Sequence, residues 1–573
     1  MTRYQSTSKR WYQWLGILII LGFILGACSP TTTPLPSSTL EKTENLITET
    51  ATVTSTPFVP DEPTPTNTLT PSPEPAQTVW IAPYIPSDLH QAIGIPPGTK
   101  ESNDPANASL LLDIGQDEPV ARWVYALVAP FPTIPEGISS ADLHSHWLGT
   151  GGGLFDKKPL LMTQETLDIF SSLWGTPAEN AVKVLPVDSI LDSAWNEQPS
   201  WALIPFEALE PRWKVLQVDG LSPLWKTFNP EQYPLTVPFT LVGDPDLAQS
   251  VRSEMAKISI LPISNRDPQK LTTVILTGVT ALVRATAETM RRKGNTYPAK
   301  DVGPILREAD IAHISNEIPF VKNCPLPDPN QVGLRFCSQP SYIELLEEVG
   351  TDVVELTGDH FADWGPDAMK YTLQMYKDRN WIYYGGGENR NDARQARLIE
   401  HNGNKIAFIG CNAKGGGYAT AKQNNPGAVS CDYDWMHSEI DRLTKEGFNV
   451  ITTFQHFEYY TYKAQPNQVK DSRGMAEAGA VIVSGSQAHQ PQAFEFHNNA
   501  LIHYGLGNLF FDQYFMGLPT SQGFLDRYVF YDGQLISSEL IGIKFVDFAR
   551  PRLMTPAEKR ELLQAVFKAS GWK

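Results

Sequence analysis

The chain has 573 residues, 41% of them hydrophobic, and a formal net charge of −17. This length predicts two folded units rather than one, and the hydrophobic content is sufficient for real cores. The acidic balance excludes a nucleic-acid or general polyanion-binding surface, because such partners require a field of the opposite sign. An anionic substrate would therefore need a local basic pocket or a metal ion.

The N-terminal residues have the pattern of an export signal. Basic residues at positions 3, 9 and 10 precede an apolar run over residues 14–27, which is short for a membrane span. The run ends in LGAC, so residues 1–28 resemble a bacterial lipoprotein signal, which implies that Cys28 carries a lipid and anchors the protein to the membrane. An uncleaved anchor helix is the alternative. Either arrangement places the bulk of the protein outside the cytoplasmic membrane.

Residues 29–77 have the composition of a disordered or semi-extended stalk. They are rich in Thr, Pro and Ser and show almost no apolar periodicity. Such a segment buries too little surface to offset the entropy of the chain. Together with the anchor, the stalk would hold the folded part at a distance from the membrane.

Residues 78–265 mix short predicted strands and helices in an α/β pattern. His144 and His146 lie two apart on a predicted helix and face different directions, which argues against a metal-binding pair. A helix that ends in a W-x-G turn and a late Tyr-Pro-Leu strand are similar to those of one lobe of periplasmic solute-binding proteins of the phosphate-binding type. The region is short for a complete two-lobed binder.

From about residue 270 onward, apolar strands alternate with amphipathic helices. Strands are predicted at TTVILTG, DIAHISNE, TDVVELTG, FNVITTFQH and AVIVSGS. Two hairpins are predicted, one turning at Asn402 and Gly403 and one at Asn498 and Asn499. The alternation predicts an α/β domain of largely buried strands, with functional residues gathered at their carboxyl ends.

Four cysteines remain beyond Cys28. In an oxidising compartment an even number favours disulfides. Nearness in sequence favours two pairs, Cys324 with Cys337 and Cys411 with Cys431. Four cysteines allow three pairings, so these pairs are a hypothesis.

Polar side chains follow four of the five predicted strands. They are Asn316 and Glu317, Asp359 and His360, His456, and His489. A divalent-metal hydrolase uses imidazole and carboxylate groups from several loops to hold its ion and to leave a position open for substrate. Purely structural hydrogen bonding is the alternative.

Five segments of this region carry motifs in a characteristic order. They are ILREADIAHISNEIP, LTGDHFADWG, QHFEYY, EAGAVIVSGSQAHQPQAFE and HYGLGNLFFDQ. As an ordered set, they resemble the CapA or poly-gamma-glutamate capsule-synthesis family, whose domain is similar to calcineurin-like metallophosphatases. The resemblance covers about residues 270–515. It implies a metallophosphatase-like αββα sandwich within residues 270–573, preceded by the smaller solute-binding-like α/β domain of residues 78–265.

The same resemblance implies roles for individual side chains. The implied ligands of one divalent metal, Mn, Zn or Fe, are Glu317, Asp359, His360, His456 and His489. The implied substrate contacts are Asn316, Glu458 and Asn508. A proton shuttle is implied for His360 or His456, and Arg284 would orient an anionic substrate.

Two positions depart from the family pattern. Val279 stands where the family's first strand ends in an acidic residue, and Gln487 replaces the first histidine of its H-P-H pair. Each change removes a ligand from a two-metal site, so the remaining residues are expected to hold one metal. Asp359 stands where Asn is usual, and we hypothesise that it compensates for part of the missing charge.

The resemblance implies a role in making, exporting or attaching an anionic cell-surface polymer, poly-gamma-glutamate or another capsule component, or its precursor. If the protein is an enzyme, metal-assisted hydrolysis or transfer at an amide or phosphoester is expected. The alternative is a non-catalytic surface ligand-binding or scaffold lipoprotein with a degraded metal site. A third interpretation is a phosphodiesterase that acts on small substrates.

Overall fold

The computed structural model describes residues 76–572, with gaps at 152, 156, 157, 416, 418 and 515. The predicted signal of residues 1–28, with Cys28, and nearly all of the predicted stalk lie outside the described residues. Within the described part of the chain, no helix is long and apolar enough to cross a membrane.

The N-terminal part of the described chain forms one large mixed sheet and a small strand pair. Its strands are β1 (Thr78–Ile81), β2 (Lys100–Ser102), β3 (Leu110–Ile114), β4 (Ala121–Pro130), β5 (Gly137–Ile138), β6 (Leu160–Met162), β7 (Val182–Val184), β8 (Trp201–Pro205), β9 (Trp213–Val215), β10 (Gln217–Val218) and β11 (Thr236–Gly243). Its helices are α1 (Ser87–Ala92), α2 (Ser140–Trp147), α3 (Gln164–Trp174), α4 (Val187–Asn196) and α5 (Pro245–Ile258). The large sheet has the order β2, β1, β3, β11, β4, β8, β6, β7, with β9 also paired to β4, while β5 pairs with β10.

The C-terminal part forms two further large sheets and a small strand pair. Its strands are β12 (Leu271–Thr277), β13 (Val279–Thr280), β14 (Ile311–Asn316), β15 (Val353–Glu355), β16 (Ile382–Tyr384), β17 (Gly386–Gly387), β18 (Arg397–His401), β19 (Asn404–Asn412), β20 (Gly427–Ala428), β21 (Asn449–Gln455), β22 (Ile482–Ser484), β23 (Phe494–His497), β24 (Ala500–His503), β25 (Asn508–Phe510), β26 (Gln522–Tyr531), β27 (Gln534–Val546) and β28 (Arg550–Leu553). Its helices are α6 (Arg284–Lys293), α7 (Gly303–Glu308), α8 (Ile343–Glu348), α9 (Gly365–Lys377), α10 (Arg390–Ala393), α11 (Tyr433–Lys445), α12 (Pro466–Glu477) and α13 (Pro556–Ala569).

These two sheets pack face to face between layers of helices. One has the order β16, β15, β14, β12, β26, β27, β28, and the other β18, β19, β21, β22, β24, β23. Side chains alternate along β12, so Val274 and Leu276 join Phe408 of the second sheet, whereas Ile275 joins Leu373 of α9 on the outer face. On the far side, Ile440 of α11 packs on the second sheet. This αββα sandwich confirms the predicted fold.

Both predicted hairpins are present. Asn402 and Gly403 join β18 to β19, and Asn498 and Asn499 join β23 to β24. All four residues have positive φ, at 47°, 76°, 47° and 65° respectively. Tight hairpins favour this left-handed backbone because its twist matches that of the strands, and asparagine and glycine adopt it most readily.

Both predicted disulfides are also present. Cys324 is bonded to Cys337, with their Cα atoms 5.9 Å apart, and Cys411 is bonded to Cys431, with their Cα atoms 5.0 Å apart. The first closes a loop after β14, and the second ties the end of β19 to the segment after β20. Each disulfide therefore constrains a loop that follows a strand end.

The N-terminal and C-terminal parts belong to one compact unit and share an apolar interface. Phe206 lies edge-on against Tyr531 of β26, with ring centroids 5.0 Å apart. Phe131 is similarly placed against Trp572, at 5.8 Å. The two parts are therefore held together by aromatic contacts that exclude water from both surfaces.

Candidate metal centre

Three candidate metal ligands meet where two parallel strands end. Ligand atoms of Glu317, Asp359 and His360 all lie within 4.8 Å of one another. Glu317 follows β14, the other two follow β15, and the parallel pairing of these strands brings the three side chains to one edge. Gly358 permits the close approach, because a Cβ atom at that position would lie 2.8 Å from the backbone oxygen of Glu317.

Glu317 is a carboxyl group with little solvent around it. It is 1% exposed, and burial raises its pKa, although the neighbouring His489 and His360 act in the opposite direction. Gln455 Nε2 donates to Glu317 Oε1 over a long 3.3 Å. A buried carboxylate needs a compensating charge, and its oxygens together with an imidazole form a donor set that suits Mn, Zn or Fe. The residues present therefore fit a divalent metal.

Asp359 is held from two sides. Gln455 Nε2 donates to its Oδ1 at 2.7 Å, and Lys414 Nζ donates to its Oδ2 at 2.7 Å. The backbone nitrogen of Asp359 also donates to Gln455 Oε1, at 2.6 Å. Burial opposes the carboxylate charge, but the contact with Lys414 outweighs it and lowers the pKa of Asp359. Asp359 is thus ionised and fixed in orientation.

His360 is oriented by a buried carboxylate. Its Nδ1 lies 2.8 Å from Asp363 Oδ2, and the same oxygen accepts a hydrogen bond from the backbone nitrogen of Phe336 at 2.7 Å. Burial opposes the imidazolium charge, but the hydrogen bond with Asp363 and the charge of Glu317 raise the pKa of His360 to about 9. A carboxylate on Nδ1 leaves Nε2 as the metal-binding nitrogen, which is a common arrangement for a histidine ligand.

A second part of the site, the Glu458 arm, consists of His489 and Glu458. His489 Nε2 lies 3.8 Å from Glu458 Oε1, and its Nδ1 lies 2.9 Å from Asn508 Oδ1. Contact with His489 strongly lowers the pKa of Glu458. Burial opposes the charge on His489, but contact with Glu458 outweighs it and raises the pKa of the imidazole. The two side chains thus stabilise each other in their charged forms.

Comparison with known proteins assigns the domain that carries this centre. The family model described as "Bacterial capsule synthesis protein PGA_cap" matches residues 273–513. Residues 273–513 are therefore similar to that family. The match confirms the resemblance inferred from the motifs, and it covers every residue of the centre described above.

Two curated relatives align with this capsule-synthesis domain. "Capsule biosynthesis protein CapA" of Bacillus anthracis is 27% identical over 263 residues, which are 44% of this chain and 63% of the relative. "PGA biosynthesis protein CapA" of Bacillus subtilis (strain 168) is 27% identical over 226 residues, which are 39% of this chain and 58% of the relative. The chain therefore spans about three fifths of the length of these relatives.

Solved structures show only distant likeness. An ABC-type phosphate transport receptor from Vibrio cholerae has a TM-score of 0.26 and 12% identity, covering 31% of this chain and 93% of the receptor. The NAD nucleotidase NadN of Haemophilus influenzae has a TM-score of 0.30 and 7% identity, covering 51% of this chain and 55% of the nucleotidase. These values are too low to assign a ligand or a reaction.

His456 faces away from the other predicted ligands of the capsule-synthesis domain. Its Nε2 lies 3.5 Å from Asp471 of α12, and its ring lies against Phe454. Burial lowers its pKa, and Asp471 is the charged group that partly offsets this effect. The three-residue cluster does not include His456. Its predicted role as ligand or proton shuttle stays a prediction without support from this geometry.

Arg284 is occupied by a partner within the protein. Its guanidinium donates to Asp512 Oδ1 at 2.9 Å and to Gln513 Oε1 at 2.9 Å, and it lies over the ring of Phe511. Burial raises the pKa of Asp512, and Arg284 partly offsets this effect. The structure places Arg284 in a largely buried ion pair, where binding of a substrate anion would require breaking that pair.

The side chains of Asn316, Gln487 and Val279 point into the interior of the protein. Asn316 donates through Nδ2 to Tyr376 Oη at 2.7 Å. Gln487 donates to Ser315 Oγ at 2.6 Å, so the residue that replaces a family histidine is bonded to β14. Val279 is fully buried in a small apolar cluster. The two departures from the family pattern are thus accommodated by internal packing.

Sequence reasoning missed three residues of the centre. Lys414, Gln455 and Asn412 lie at or just beyond the carboxyl ends of β19 and β21. Asn412 Nδ2 donates to Gln455 Oε1 at 2.6 Å, which completes the network that fixes Asp359. The strand-end rule that selected Glu317 would also have selected these positions, had amide and lysine side chains been included.

Proposed function

We propose that this protein acts in making, exporting or attaching an anionic cell-surface polymer, poly-gamma-glutamate or another capsule component, at a centre that holds one divalent metal. The observation that carries the proposal is the convergence of Glu317, Asp359 and His360 within 4.8 Å. This convergence lies inside the domain that matches the capsule-synthesis family. The names of the two Bacillus relatives support the choice of polymer.

Each residue of the centre has a defined task in this proposal. Glu317, Asp359 and His360 would hold the ion, while Asp363 orients His360 and Gln455 orients Asp359. A bound divalent metal would polarise a substrate oxygen and lower the pKa of a coordinated water. His489, which contacts Glu458, would hold a proton for the reaction.

The electrostatics of the centre suit an anionic polymer. The chain as a whole is acidic, with a net charge of −17, so attraction of a polyanion has to be local. In this proposal the bound metal supplies that local positive charge, because Lys414 and His489 are balanced by Asp359 and Glu458 and His360 is neutral when it binds a metal. The proposed location is the outer face of the cytoplasmic membrane, with a lipid anchor at Cys28. There the protein would bind the polymer or its precursor.

Metal content is the first test. The full-length protein is purified without chelator, and Mn, Zn and Fe are measured in the wild type, in Glu317→Gln with His360→Ala, and in His90→Ala, whose ring is half exposed and distant in sequence from the centre. We expect about one equivalent in the wild type and the control, and none in the double variant. No metal in any protein, even after reconstitution, would favour the scaffold or ligand-binding alternative.

Activity is the second test. The metal-loaded protein is incubated with poly-gamma-glutamate, and chain length is followed by gel filtration. We expect shortening or transfer that the double variant lacks. Turnover of a small phosphodiester with no effect on the polymer would instead support the phosphodiesterase interpretation.

A further inference from the structure

Lys414 is inserted between two carboxylates of the centre. Its Nζ lies 2.7 Å from Asp359 Oδ2 and 3.3 Å from Glu458 Oε1. The side chain of Lys414 is 25% exposed, so the ammonium lies in a partly desolvated site. Its electrostatic attraction to the two carboxylates is stronger there than in water. One ammonium group therefore contacts both Asp359 and the Glu458 arm.

The position of this lysine is fixed by the fold. Cys411, at the end of β19, is bonded to Cys431. The backbone nitrogen of Ala413 donates to the backbone oxygen of Gln455 at 2.8 Å, so the residue before Lys414 is tied to the end of β21. The segment that carries Lys414 is thus fixed from two sides. Lys414 is therefore part of the centre and not a mobile surface cation.

Both carboxylate oxygens of Asp359 already have a hydrogen-bond donor beside them. Its Oδ1 accepts from Gln455 and its Oδ2 from Lys414. A cation beside Glu458 would need Asp359 Oδ2 and Glu458 Oε1, which are the two atoms that Lys414 contacts. A cation beside Glu317 and His360 meets no lysine or arginine among the described contacts, and the donor it meets there is the neutral amide of Gln455.

We propose that Lys414 takes the place of a second metal ion in this centre. Its ammonium neutralises Asp359 and Glu458, so the protein binds one divalent cation, beside Glu317 and His360, and excludes another from the Glu458 arm. The inference deepens the proposed function and rests on it for the identity of the first site. Two of the three N–H donors of Lys414 meet the carboxylates, and the third is suited to an oxygen of an anionic substrate.

The test is the number of metal ions bound when the lysine is removed. Full-length wild type, Lys414→Met, Lys414→Arg and Lys422→Met are equilibrated with Mn²⁺, freed of excess metal, and analysed for Mn per chain. Lys422 is exposed and lies on the same connection between β19 and β20, so it is the matched control. We expect Lys414→Met to bind one equivalent more than the wild type, and the other two variants to match the wild type.

Thermal unfolding gives a second readout that does not depend on activity. Without metal, Lys414→Met should melt below the wild type, because Asp359 and Glu458 lose their counter-charge. Added Mn²⁺ should then raise its melting temperature more than it raises that of the wild type. If Lys414→Met does not fold, Lys414→Gln, which keeps a polar group of similar length, is used in its place.

The outcomes separate this inference from the proposed function. Equal Mn content in the wild type and Lys414→Met, at one equivalent each, would overturn the inference and leave the proposed function standing. Wild type without metal and variant with one equivalent would overturn the inference, because the native protein would then lack the first site beside Glu317 and His360. Absence of metal from both would overturn both.

Discussion

Asp363 Oδ2 lies 2.8 Å from His360 Nδ1, one helical turn along the chain, and the same oxygen accepts the backbone N–H of Phe336. One carboxylate thus orients the candidate metal ligand and anchors the end of the Cys324–Cys337 loop. We expect Asp363→Asn to weaken metal binding by about 10- to 100-fold, because the amide supports His360 less well than the carboxylate does. Calorimetric titration with Mn²⁺ measures the change.

The control for this prediction is Asp367→Asn. Asp367 is exposed in the first turn of α9. Its replacement by Asn removes the same charge as Asp363→Asn, four residues further along the chain. Its metal affinity should equal that of the wild type. If Asp363→Asn binds as tightly as the wild type, His360 does not depend on Asp363 for its orientation.

The Cys324–Cys337 disulfide is expected to stabilise the centre through Phe336, the residue before Cys337. Phe336 packs on His360, with ring centroids 4.8 Å apart, and its loop exposes Leu326 and Val332 to solvent. The double variant Cys324→Ser, Cys337→Ser should lose about 2–4 kcal/mol of unfolding free energy, since the bond no longer restricts the unfolded chain. Urea unfolding measures the loss.

A loop that is freed in this way should also become a substrate for proteases. Limited proteolysis should cut the double variant between residues 325 and 336 and spare the oxidised wild type. An unchanged urea midpoint with an uncut loop would show that contacts other than the disulfide hold this segment.

The ion pair of Arg284 and Asp512 is expected to contribute to stability. The two side chains are 12% and 6% exposed, so removal of one leaves a charge without compensation in a poorly solvated place. Arg284→Ala should cost about 3–5 kcal/mol, and the double variant Arg284→Met, Asp512→Leu should recover much of that loss. Urea unfolding of the three proteins tests this prediction.

Polymer binding distinguishes this role from the one that the family resemblance implies. If Arg284→Ala keeps its stability but loses affinity for poly-gamma-glutamate, the arginine orients the substrate anion. A loss of stability in that variant, recovered when both partners are replaced, assigns Arg284 to the fold.

The sequence predicted the three clustered metal-ligand candidates, which come from one sheet, and also Glu458 and His489, which follow strands of the other. Glu317, Asp359 and His360 follow neighbouring parallel strands, and a strand pattern alone brings such ends together. Lys414 and Gln455 come from the other sheet, and their approach depends on how the two sheets pack face to face. No spacing along the chain encodes that packing, since it depends on buried side chains spread over both sheets.

The orientation of His456 follows from a rule that the motif comparison does not include. Successive residues of a strand point to opposite faces. Gln455 ends β21 and contacts Asp359, so His456, the next residue, is directed toward Asp471 of α12. A motif match identifies the segment, but the phase of the strand decides which of its side chains reaches the centre.

We expect His456→Phe to bind metal with the same stoichiometry and affinity as the wild type. Both ring nitrogens of His456 are buried without a hydrogen-bond partner in the described part of the chain, and the ring packs on Phe454. Replacement by an apolar ring removes two unsatisfied polar atoms, so the melting temperature should stay the same or rise. His360→Ala, measured beside it, should lose the metal. Loss of metal from His456→Phe at an unchanged melting temperature would return His456 to the ligand set, and strand phase would then be a poor guide at this edge of the sheet.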